Sequence, residues 1–290
     1  MKFITFLRDG EALPGLWLGG RRIAELSQAA GSILELIDAG EEGLKAARLL
    51  AEDEDVNISA AAVQLLAPIP RTRKNVFCVG RNYVDHVKEG ARFPGAAEVK
   101  LPEVPQFFTK APTAINAPGA AVRLDPGLTK LLDYEVELAV VIGKAGRDIP
   151  RERAYEHVFG YTIANDVTAR DLQRRHDQWF KGKSLDTSLP LGPWIVDAAE
   201  IGDPTTLELS LTVNGQERQR ATASMMIFDI PAIIASLSAG MTLEAGDIIA
   251  TGTPSGVGYA MDPPQGLKDG DVVVARIDRI GELTSPIKAV

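Results

Sequence analysis

The chain has 290 residues, 45% of them hydrophobic and 24% charged, with a formal net charge of -8. That is the composition of a globular protein with at least one large core, and it lacks the basic surplus that a phosphate backbone demands, so nucleic acid is not an expected partner. The longest apolar runs, such as Leu138 to Ile142, are strand-sized rather than membrane-sized, Met1 to Gly10 carries charges where an export signal would be apolar, and the lone cysteine, Cys78, cannot close an internal disulfide, so the expected setting is a reducing cytoplasm with no membrane partner.

In chain order, residues 1 to 67 read as a small N-terminal module. Phe3 to Leu7 and Gly15 to Leu18 have strand character around the turn Asp9-Gly10. Ile33 to Leu50 has helical periodicity, interrupted by Gly40 and Gly43. Ala67-Pro68-Ile69-Pro70-Arg71-Thr72-Arg73 is proline-punctuated, then basic, and suits a linker. From there to residue 290 the pattern is strand-rich. Strands are expected at Val76–Val79, Gln106–Thr109, Ala121–Leu124, Tyr134–Ile142, Gly160–Ala164, Trp194–Val196, Leu207–Val213, Asp247–Ala250 and Val272–Ile277. Helices are expected only at Arg151–Val158, Ala169–Trp179 and Ile227–Ala239. Many strands with few helices predict a β-rich α+β architecture, a barrel or sandwich, and argue against a doubly wound sheet.

The sharpest local feature is Tyr134-Glu135-Val136-Glu137-Leu138. Side chains alternate along a strand, so Glu135 and Glu137 share a face while Val136, Leu138 and Val140 share the other. The following residues are apolar on both faces, which marks a buried strand. Two carboxylates there repel each other and lose hydration, at several kcal/mol each if uncompensated. Raised pKa values, basic partners or a hard divalent cation are the three remedies. Asp166 closes the strand-like run Gly160–Asn165 and is the best third ligand, although helix N-cap is its ordinary role. His86 and Glu89 stand three apart before Gly90, so a short helix puts them on one face, where the acid would fix the imidazole tautomer. The Gly-, Pro- and Ala-rich segment Gly90 to Pro105 reads as a lid. No zinc H-E-x-x-H, nucleophile elbow, P-loop or dinucleotide fingerprint is present.

Five ordered segments resemble the signatures of the fumarylacetoacetate hydrolase family. They are Gly80-Arg81-Asn82-Tyr83-Val84-Asp85-His86, Asp133 to Glu137, Asn165 to Gln173, Lys181 to Asp186 and Gly252 to Gly258. The resemblance spans about residues 70 to 288. It implies a mixed β-sandwich roll, an Mg²⁺ or Mn²⁺ ion on Glu135, Glu137 and Asp166, and a homodimer. It also implies an acid–base pair at His86 and Glu89, and Lys183 reaching a substrate oxygen. Arg81, Gln173 and Thr253 are then substrate contacts, and Lys110 belongs either to the site wall or to the scaffold. The shared chemistry is an enolate of a small 2-oxo acid. Hydrolysis of a carbon–carbon bond in an acylpyruvate is the first expectation. Isomerisation or tautomerisation of a 2-hydroxy-diene or 2-oxo dicarboxylic acid, and decarboxylation of oxaloacetate, are the alternatives, with a non-catalytic binding module last.

Overall fold

The computed structural model describes residues 1–53, 57–90 and 100–290; most of the expected 90–105 lid lies outside them. Among the described residues the chain forms two large sheets with short helices at their edges. The long sheet runs Asn57–Ser59, Arg22–Glu25, Glu11–Gly19, Lys2–Arg8, Leu189–Asp197, Val158–Asn165, Val136–Ile142, Ile248–Ala250, Val76–Gly80, Gln106–Lys110. It is mixed: Ile248–Ala250 pairs parallel with Val76–Gly80 and antiparallel with Val136–Ile142. A second sheet of five strands has the order Gln216–Thr222, Glu208–Val213, Val272–Ile277, Gly281–Ala289, Val122–Leu124.

Every residue of Val136–Ile142 is buried, because the strand is covered on both faces. Val136, Leu138, Val140 and Ile142 join one core with Leu209, Leu211, Val273 and Ile277 of the five-stranded sheet. Ala139 and Val141 face the other way, into a core with Phe3, Leu36, Cys78 and Leu189. Each large aliphatic side chain buried in these layers contributes roughly 1.5–3 kcal/mol. The face carrying Glu135 and Glu137 is thus continuous with apolar packing further along the strand. The N-terminal strands enter the same sheet, with Phe3 opposite Ile195.

Three expected helices differ in detail. The Ile33–Leu50 periodicity resolves into Ile33–Asp38 and Gly40–Glu52, and the break falls at Gly40, whose φ of 56° suits a residue without a Cβ. Residues Arg151–His157 form a 3₁₀ helix and not an α-helix. The helix expected over Ala169–Trp179 is shorter, Arg170–Arg175, and a separate helix, Phe180–Lys183, follows it. Tertiary contacts at the gap involve Trp179, whose ring lies against Gly80, where a Cβ would come within 2.4 Å of it, and meets Phe108 edge-on at 5.5 Å. Lys183 is the last residue of the second of these helices. The strand Gly281–Ala289 and the hairpin strand Gln216–Thr222 were not expected from the sequence pattern.

Candidate metal centre and active site

The site assembles where two neighbouring strands end. Val136 pairs with Asn165 and Glu137 with Ala164, so Glu135 and Asp166 fall side by side just beyond the ladder. The Asp166 N–H donates to the Glu135 carbonyl at 2.9 Å and continues the pairing by one step. One carboxylate oxygen from each of Glu135, Glu137 and Asp166 then lies within 4.8 Å of the others. Four acids (these three and Asp133) and three bases (Lys110, Arg170 and Lys183) share the region, each at most 4% exposed. Water cannot screen them, so their pairing decides their charge.

That pairing is uneven. Lys183 Nζ donates to Glu135 Oε2 and to Asp166 Oδ2, both at 2.6 Å. Lys110 Nζ donates to Asp166 Oδ1 at 2.7 Å and to the Val167 carbonyl at 3.0 Å. Arg170 bridges Glu135 Oε1 (2.7 Å) and Asp133 Oδ2 (2.9 Å), with Tyr259 stacked 4.3 Å away. Among the described residues Glu137 forms no hydrogen bond or ion pair with a basic group; its hydrogen bond there is from the Gly252 N–H, at 2.8 Å. Burial alone would raise both glutamates. Lys183 and Arg170 overcome it at Glu135 and hold that carboxyl far below the ordinary range. At Glu137 burial, together with the charges of Asp166 and Glu135, pushes the carboxyl well above it. Lys183 is raised, since Asp166 and Glu135 outweigh its burial, and stays an ammonium. A divalent cation among the three carboxylates supplies the charge that Glu137 lacks, and three oxygen donors suit a hard ion. The residues present therefore fit Mg²⁺ or Mn²⁺.

Val84–Gly90 is a helix, and it brings His86 Nδ1 to 2.7 Å from Glu89 Oε1. Glu89 Oε2 accepts from the Gly256 N–H at 2.8 Å. With Nδ1–H directed to Glu89, Nε2 is the nitrogen left to exchange a proton. The pair adjoins the carboxylates: after Lys183 and Arg170, His86 also contributes to the lowering of Glu135. The glycine-rich loop after Ile248–Ala250 contacts all three acidic regions through backbone N–H groups. Gly252 meets Glu137, Gly256 meets Glu89, and Gly258 meets Asp133 at 2.8 Å.

The remaining expected contacts scatter more. Thr253 is buried in that loop and accepts from Gln219. Gln173 accepts from Arg170 at 3.2 Å and stands over Gly182. Arg81 donates to the Lys100 carbonyl at 2.8 Å, away from the carboxylate cluster's own hydrogen bonds. His157 is buried against the Lys144 carbonyl and His176 is exposed, so neither joins the cluster. Sequence reading passed over Asp133, Arg170 and Gln219. The available clue was positional, because Asp133 and Arg170 lie within the same motifs as Glu135 and Asp166.

Two packed sheets whose central strand ends in a buried carboxylate trio beside a fixed lysine and a His–Glu pair define a metal-carboxylate enzyme scaffold. Residues 75–288 match the family model for the fumarylacetoacetate (FAA) hydrolase C-terminal domain, and the chain belongs to the fumarylacetoacetate hydrolase family. It is 47% identical to the oxaloacetate tautomerase YisK of Bacillus subtilis, over 98% of this chain and 96% of that protein. A fumarylacetoacetate hydrolase from Exiguobacterium antarcticum superposes with a TM-score of 0.85 at 44% identity, each chain fully covered. A maleylpyruvate hydrolase from Sphingobium sp. SYK-6, solved with manganese (II) and pyruvate, superposes with a TM-score of 0.80 at 31% identity, covering 100% of this chain and 99% of that one. No helix among the described residues is long and apolar enough to cross a membrane.

Proposed function

We propose that the protein is a divalent-metal-dependent tautomerase of oxaloacetate or a closely similar 2-oxo dicarboxylic acid, rather than the acylpyruvate hydrolase first expected. The observation that carries this reading is the near full-length similarity to an oxaloacetate tautomerase at 47% identity. The site chemistry agrees with it, because tautomerisation needs one proton moved between carbon and oxygen and no placed water.

Glu135, Glu137 and Asp166 are the residues that would hold the ion. When bound, the ion supplies Lewis-acid polarisation of a 2-oxo oxygen, which acidifies the adjacent C–H. His86 Nε2, with its tautomer set by Glu89, exchanges the proton at C3. Lys183 acts as a donor and not as a base, since its neighbours hold it protonated. Two of its three N–H bonds go to Glu135 and Asp166, and the third, which has no hydrogen-bond acceptor among the described residues, would meet the substrate oxygen as charge develops. Arg170 and Lys110 fix the carboxylates in place.

The test follows enol-oxaloacetate decay by ultraviolet absorbance with Mg²⁺, with Mn²⁺ and after EDTA, with acylpyruvates assayed in parallel. Acceleration that disappears with chelation and returns with metal is the expected result. Cleavage of acylpyruvates with enol decay left at its spontaneous rate overturns the proposal. His86→Ala should lower kcat by about 10²–10⁴-fold, the usual worth of a general base, with Mn²⁺ affinity changed less than about twofold.

A further inference from the structure

Gln219 lies on the five-stranded sheet, outside the motifs that carry the carboxylates, and is 1% exposed. Its Oε1 accepts the Val136 N–H at 3.0 Å. Val136 is the residue between Glu135 and Glu137. Gln219 Nε2 donates to Thr253 Oγ1 and to the Pro254 carbonyl, both at 2.8 Å. A backbone N–H at one end and a backbone carbonyl at the other leave the amide a single orientation. One side chain thus spans from the carboxylate strand to the glycine-rich loop.

The consequence falls on Thr253. A hydroxyl has one proton to donate and two lone pairs to accept with, and Gln219 Nε2 takes one of those lone pairs. Thr253 is 3% exposed, and its own proton has no acceptor among the described residues. The adjacent Gly252 N–H is on Glu137, so Thr253 stands next to the carboxylate trio. Its free O–H suits an anionic oxygen arriving there, and a carboxylate of the substrate is the acceptor of that chemistry.

We propose that Gln219 is a positioning residue that fixes the Thr253 side chain so that its hydroxyl proton is presented to a substrate carboxylate, while holding the loop in register with the Glu135–Glu137 strand. The inference rests on the tautomerase reading for its substrate. It is tested in the metal-loaded enzyme by a double-mutant cycle of Gln219→Met and Thr253→Val, reading KM and kcat for oxaloacetate, Mn²⁺ affinity and thermal unfolding. Thr253→Val should raise KM about tenfold, the scale of a lost hydrogen bond to a charged group. Gln219→Met should raise KM several-fold, by about three- to tenfold, when Thr253 is present and by less than about twofold in the Thr253→Val background. Mn²⁺ affinity should change less than about twofold throughout. Equal KM shifts in both backgrounds, or Mn²⁺ affinity falling in step with KM, overturn the proposal and leave Gln219 a structural residue. Should the methionine variant not fold, Gln219→Asn keeps an amide in the core but is one methylene too short for the span, and it should show the same dependence on Thr253. A wild-type enzyme that does not turn over oxaloacetate refutes the tautomerase reading instead, and is distinguished by that control.

Discussion

Glu135 and Glu137 lie two residues apart on one face of one strand, yet they occupy opposite electrostatic regions. The Glu135 side is closed: Arg170 and Lys183 donate to both of its oxygens, and Arg170 carries the network on to Asp133. The Glu137 side is open, with a single backbone N–H for a hydrogen-bond partner among the described residues. Burial is nearly the same for the two, so burial does not separate them. The difference teaches that a buried acid is charged or neutral according to the donors that distant segments bring to it. It also makes Glu137 the acid that would gain most from a bound cation.

This contrast can be broken most severely at Arg170. Arg170→Met leaves Asp133 and Glu135 buried beside fewer cations, and should cost about 3–5 kcal/mol of stability, measured by urea unfolding. A loss below about 1 kcal/mol would show that the Glu135 side is not held by charge pairing.

Glu137→Gln sharpens the other side. It should weaken Mn²⁺ binding by at least about tenfold, in line with the loss of one charged oxygen ligand. In the metal-free protein near neutral pH the same substitution should raise stability by about 1 kcal/mol, because a neutral amide needs no proton, whereas burial, Asp166 and Glu135 oblige the Glu137 carboxyl to take one up on folding. Calorimetric titration and thermal unfolding in EDTA read the two effects. A destabilised metal-free variant contradicts the assignment of Glu137 as the under-compensated acid.

The smallest effect is a slope with pH. The folded-state pKa of Glu137 lies above its ordinary value, so the folded protein binds the extra proton. Its contribution is present below the ordinary glutamate pKa and is lost as pH rises through the raised one. Glu135 has the opposite sign: its contribution is present above the ordinary value and is lost as pH falls toward its depressed one. From about pH 4.5 upward the metal-free protein should therefore lose stability through Glu137, by at most about 1.4 kcal/mol per pH unit for one proton. Saturating Mg²⁺ should flatten or reverse that slope, since the ion binds the ionised form. Identical pH profiles with and without Mg²⁺ would remove the link between Glu137 and the metal.

What could be read in the sequence was whatever depends on short covalent spacing. Glu135 and Glu137 had to share a face because a strand repeats every two residues. His86 and Glu89 had to meet once Val84–Gly90 became helical, because residues three apart are neighbours on a helix. The even-numbered apolar residues from Val136 to Ile142 likewise announced a core face.

Sequence alone therefore determined which side chains could act together within one element, and its ordered motifs pointed to the family. Only the tertiary structure decided which acid is paired and which is left open. That outcome depends on Lys110, Arg170 and Lys183 arriving from three separate elements, and on a separate helix after Trp179 from whose end Lys183 reaches two carboxylates. The physical reason is range. Backbone geometry fixes neighbours a few residues apart, whereas the charge state of a buried group is set by whatever the packing of distant strands places within hydrogen-bonding distance of it.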